Sequence, residues 1–227
     1  MDLEHISGTT TAFYTLNACD GHIAMEVSKV LSMDNIEQQS SWKILMENNP
    51  SLLNRLIEQG FNEAIDFSSI NIDYSILLFT CSIHIDSDKK PIAIGDNLTR
   101  ERFGRFPCEN GSMIAYLLQY LRPNSKIENS SKPFEEIIIL LKKLYSFNKE
   151  NDYSNARYDS GQGGMNILGF LTFEEVVIMR KFFAGRYWSV SSDEPLDGGV
   201  RDAIKHLTSM LKSAERRDSG IIHRSHQ

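Results

Sequence analysis

The stretch FEEIIILLKKLYSF, residues 134–147, constrains the fold of this chain more than any other. Its apolar residues cover most of a helical circumference, so a helix here needs cover from several neighbours. Pro133 and the pair Glu135–Glu136 mark its start, while Lys142 and Lys143 lie toward its end. Both poles of the helix dipole are complemented by that arrangement. Such a helix belongs at the centre of a core, and the rest of the chain must supply the elements around it.

Helical signals dominate the remainder. Ile23, Val27, Val30 and Leu31 recur at helical spacing, and a second segment from about Asn35 to Glu47 carries Ile36, Trp42, Leu45 and Met46. Asn49 as cap and Pro50 at the first position open a third helix, whose face is Leu52, Leu53, Leu56 and Ile57 and whose stop is Gly60. Ser112 caps a helix that Arg122–Pro123 ends. Thr172-Phe-Glu-Glu175 is a capping box heading a helix to about Phe183. The last helix, from about Gly199 to Arg217, aligns Val200, Ile204, Leu207, Leu211 and Ala214. Ser219–Gly220 stops it and leaves IIHRSHQ as a tail or edge strand.

The pattern changes at residues 72–95. IDYSILLFTCSIHID is rich in β-favouring residues, SDKK supplies a turn, and PIAIG returns with Pro91 at a sheet edge. A β-hairpin is predicted there. The fold class that follows is α+β, predominantly helical, with about seven helices around a small β-hairpin or antiparallel sheet. Residues 1–227 read as a single domain, and the polar, glycine-punctuated segment 148–166 is where a subdomain junction would fall.

A chain of 227 residues with 41% apolar content can bury a core without disulfides or a structural metal. Cys19, Cys81 and Cys108 are odd in number and sit in unrelated contexts, which suits a reducing compartment. The N-terminus has no basic region followed by an apolar run, and the longest apolar runs are too short for a bilayer. A cytoplasmic location without membrane contact is the expectation. The net charge of −6 weighs against a general nucleic-acid binder. Residues 1–113 hold 8 Lys+Arg against 16 Asp+Glu, whereas residues 114–227 hold 16 against 14. Such a dipolar molecule can steer a charged partner.

No motif names a reaction. Cys19 with His22 and Cys81 with His84 have metal-ligand spacing, but on a strand Cys81 and His84 would point to opposite faces. A buried Cys81 and a solvent-facing His84 are the simpler expectation, and neither metal nor cofactor is called for. Ser40/Lys43 and Ser209/Lys212 match a Ser-x-x-Lys pattern by chance, and Cys108 near Arg105 is a weak thiol candidate. The run SGQGGMN lacks the strand-to-helix context of a phosphate cradle and reads as a loop. Two basic-aromatic patches remain, RERFGRF (100–106) and RKFFAGRYW (180–188). Phe182 and Phe183 in the second suit a core, so Arg100, Arg102 and Arg105 are the better candidates for nucleotide or nucleic-acid binding.

The richest stretch is GRYWSVSSDEPLDGGVRDAIKHL, residues 185–207. Tyr187 and Trp188 precede Asp193 and Glu194, an aromatic pair beside acids that reads as a binding lip. Asp197 stands before Gly198–Gly199 as a helix cap, and Asp202 and His206, four apart, share a helical face near Arg201 and Lys205. Asp197, Asp202 and His206 are the candidates for acid–base chemistry. The leading expectation is an interaction or regulatory protein, a bacterial immunity, antitoxin or defence-associated protein that binds a protein partner, with a basic one favoured by charge steering. The alternatives are a divergent hydrolase or transferase with a site around 187–206, and nucleotide or nucleic-acid binding through 100–106. Oligomeric state is left open.

Overall fold

The computed structural model describes residues 13–226, apart from 86, 89, 93, 95–105, 129 and 151–164 and the side chains of 147–150 and 165. Its described helices are α1 (Gly21–Leu31), α2 (Asn35–Asn48), α3 (Pro50–Glu58), α4 (Tyr74–Ser82), α5 (Met113–Tyr120), α6 (Ser131–Glu150), α7 (Phe173–Ala184) and α8 (Gly199–Glu215). The strands are β1 (Phe13–Cys19), β2 (Leu121–Pro123), β3 (Met165–Leu171), β4 (Trp188–Val190) and β5 (Gly220–His226). An antiparallel sheet of order β1-β5-β3 is accompanied by the two-stranded ribbon β2-β4. The fold is therefore α+β and predominantly helical. No described helix is long and apolar enough to cross a membrane.

β5 is the central strand of the larger sheet, not the edge or tail that its polar letters suggest. Ile222 lies between Asn17 of β1 and Phe170 of β3, so both sides of the strand are paired. Opposed residues share a sheet face. Tyr14, Leu16, Ala18, Leu171 and Ile221 pack with buried residues of α5 to α8. Cys19, Ile167, Phe170 and Ile222 pack with α1 to α4. The sheet thus has a helical layer on each face, with the N-terminal helices on one side and the C-terminal helices on the other. Closest approach occurs at Gly169, where a Cβ would collide with the Lys143 carbonyl, so α6 can lie directly on β3.

The segment 72–95 departs from its predicted hairpin. Residues 74–82 form α4, whose N-terminus is capped by Asp73 Oδ1 accepting from the Ile76 amide at 3.0 Å. Ser75, Leu77, Leu78, Cys81 and Ser82 are all buried. A short apolar run without strict alternation suits a buried helix as well as a strand, and here the cap and the surrounding core select the helix. Only its end is extended, with single bridges Cys19↔Ile83 and Ile85↔Pro91. Three further corrections are local. Asn49 donates its side-chain amide to Leu45 O at 2.9 Å instead of capping α3, although Pro50 does open that helix. Arg122 and Pro123 do not merely end α5 but continue as β2. α6 exposes one side, with Ile139 65% accessible, while Ile137, Leu140, Leu141 and Leu144 are buried. It covers the sheet from outside instead of filling the centre.

Candidate functional site

The stretch 185–201 is built from the end of α7, the ribbon β2-β4 and the start of α8. Gly185 ends α7 by donating to the Lys181 and Phe182 carbonyls. The chain then pairs with β2, setting Pro123 opposite Trp188, Arg122 opposite Ser189 and Leu121 opposite Val190. Asn124 braces this exit: its amide donates to Tyr187 O at 3.0 Å and its side-chain amide to Arg186 O at 2.7 Å.

Tyr187 and Trp188 do not form one aromatic lip. Tyr187 stacks on Phe182, ring centroids 6.3 Å apart, and lines an apolar cleft of about 250 Å³ with Ile137, Ile178 and Lys181. Trp188 donates its indole N–H to Phe183 O at 3.3 Å and lines a separate, open groove of about 460 Å³. Asn124, Arg186, Ser189, Val190 and Arg201 complete that groove. Arg186 and Arg201 are exposed, and no hydrogen bond or ion pair among the described residues occupies either guanidinium. Ser189 Oγ donates to Pro123 O at 2.9 Å, and Asn124 Oδ1 accepts from the Lys126 amide at 3.1 Å.

The acids behave differently from one another. Glu194 turns inward, where its Oε1 accepts from the buried Tyr116 hydroxyl at 3.1 Å and from the Val200 amide at 2.5 Å. It therefore satisfies an N-terminal amide of α8, the role that Asp197 has in the sequence reading. Asp197 is exposed, and the cap position is held by Gly198 with φ 77° and no side-chain cap. Gly199 follows because a Cβ there would come within 2.7 Å of the Tyr116 hydroxyl. Burial, reinforced by the Glu194 carboxylate, pushes the Tyr116 phenol up to about 12, so it stays a neutral donor.

Asp193 is exposed and accepts from Ser192 Oγ at 3.3 Å. Asp202 and His206 are exposed on α8, and no hydrogen bond or ion pair joins them to each other or to Asp197. The structure brings Trp188 together with Arg186 and Arg201, and sets Asp193, Asp197, Asp202 and His206 outside the groove lining. Arg186 belongs to the basic-aromatic patch 180–188, so that signal was visible; its meeting with Arg201 was not. Phe182 and Phe183 are core residues, as their pattern suggests.

The other candidates are quickly placed. Arg100, Arg102, Arg105 and most of SGQGGMN lie outside the described residues. Cys19 and Cys81 are fully buried, and burial raises both thiols, Cys81 to about 12, which leaves them unreactive. Cys108 is half-buried against the core. Among the described residues no three His, Cys, Asp or Glu side chains are grouped to hold a metal ion. Ser40, Lys43, Ser209 and Lys212 are all exposed.

No protein-family model, curated protein or solved structure matches this chain.

Proposed function

We propose that this chain is a cytoplasmic binding protein that acts by engaging a protein partner, in the manner of bacterial immunity, antitoxin or defence-associated proteins. One observation carries the reading: the groove between β4 and α8 presents a half-buried indole beside two exposed guanidiniums that no described residue occupies. Tryptophan and arginine are the side chains that most often dominate binding energy at protein interfaces. The ribbon holding Trp188 is braced by Asn124 and by backbone pairing, so little order has to be created on binding. The acidic N-terminal half supplies long-range steering toward a partner with a basic face.

The reading is tested by comparing partners retained by the wild-type protein and by Trp188→Ala at matched folding, judged by circular dichroism. A specific partner held by the wild type and weakened by Trp188→Ala supports it. Equal retention by both would move the contact elsewhere, and a wild-type protein that captures nothing at low salt would end the binding reading.

A further inference from the structure

We propose that the groove at β4 and α8 receives an acidic segment of the partner protein, its Asp or Glu carboxylates meeting Arg186 and Arg201. The inference rests on the binding reading above and specifies its chemistry. Of the polar groups lining the groove, Asn124 is committed to Arg186 O and the Lys126 amide, and Ser189 Oγ to Pro123 O. The Trp188 N–H is committed to Phe183 O. The charged groups left for an occupant among the lining residues are the two guanidiniums, which are donors only and permanently charged. An occupant must therefore bring acceptors, and anionic ones neutralise the pair best. No ion pair reaches either arginine from Asp193, Asp197 or Asp202, although these acids lie close in sequence.

A nucleotide in this open groove would need its base stacked on the half-buried Trp188 ring as well as its phosphates on the arginines. An acidic segment asks for less: carboxylates on the guanidiniums and side-chain methylenes on Trp188 and Val190. The net charge of −6 repels a polyanion at long range, so binding of one reports the local site and not the overall field.

The experiment is fluorescence anisotropy of labelled hexaglutamate with the full chain at low salt, with unlabelled ATP and inorganic phosphate as competitors. The variants are Arg186→Ala/Arg201→Ala and, as a control on the exposed side of α8, Lys205→Ala. Expected is measurable binding that weakens about tenfold or more in the double variant, is unchanged in Lys205→Ala, and resists ATP and phosphate. Equal binding to the double variant, absence of binding, or ATP and phosphate binding in place of hexaglutamate would each overturn the acidic-segment assignment. A partner lost with Trp188→Ala but retained by the double arginine variant would overturn this assignment alone and leave the binding function standing.

Discussion

The two faces of β5 each bury an ionisable side chain, and they accommodate it in opposite ways. His223 faces the C-terminal helices, its Nδ1 2.9 Å from Leu144 O and its ring 5.6 Å from that of Tyr14. Burial pushes this imidazole down to about 4, so it is neutral. Arg224, the next residue, faces the N-terminal helices, where its guanidinium donates to Asn17 Oδ1 at 2.7 and 3.2 Å. It also lies 4.0 Å from the centre of the Phe79 ring. Arginine cannot shed its charge, so that face carries an amide oxygen and an aromatic face to meet it. A buried histidine can instead give up its proton and stay neutral. The difference between the faces is set by whether the side chain can neutralise itself.

The layers differ in their ion pairs as well. On the C-terminal side Lys143 meets Glu175 at 2.6 Å, and Arg180 donates to Glu215 at 3.0 Å, all four side chains largely buried. On the N-terminal side Arg55 donates to the carbonyls of Cys81 and Ile83 at the end of α4. That cation satisfies backbone acceptors left over by a helix terminus.

The largest test sets the two cores against each other. Trp42→Ala empties a fully buried site on one face and loses the Nε1 bond to Ala64 O, while Leu211→Ala empties one on the other. Each should cost about 2–5 kcal/mol in denaturant unfolding. Both should shift one shared transition; a split transition in either variant would show that the layers unfold separately.

Next is the titration of the His223 face. The unfolded chain binds a proton at this residue below its ordinary pKa of 6.5, and the folded chain does so only near 4. Stability is therefore fully present above pH 6.5 and lost as pH falls toward 4, with a slope of at most about 1.4 kcal/mol per pH unit from this residue. His223→Gln should flatten that slope, and an unchanged slope would refute the neutral imidazole. His84, whose pKa burial also lowers, adds a contribution of the same sign that survives in the variant.

On the opposite face, Arg224→Met should cost about 1–3 kcal/mol by leaving Asn17 Oδ1 without its donors. Its pH profile between 4 and 6.5 should match the wild type, since arginine does not titrate there. The smallest contrast lies at the start of α8. Glu194→Ala should destabilise by about 1–2 kcal/mol, whereas Asp197→Ala, Asp202→Ala and His206→Ala should each stay within about 0.5 kcal/mol. Thermal melts decide this, and a large loss from Asp197→Ala would restore it as the cap.

The sequence by itself determined the elements whose signals are local. Ser112 caps α5 through the Ala115 amide at 3.2 Å, and Thr172 with Glu175 forms the reciprocal box of α7. Pro50 opens α3, and every residue of the Val200, Ile204, Leu207, Leu211, Ala214 stripe is buried. These follow from bonds and side-chain spacing within a few residues, which a helix supplies to itself. Only the tertiary structure decided the sheet, because β1 finds β5 across the length of the chain and Phe13 pairs with His226. It also made residues 74–82 a helix, put the polar letters of β5 at the centre, chose Glu194 over Asp197, and joined Arg186 to Arg201 beside Trp188. Each of those outcomes depends on a neighbour that is distant in sequence or free to turn, and a linear pattern does not specify which neighbour arrives.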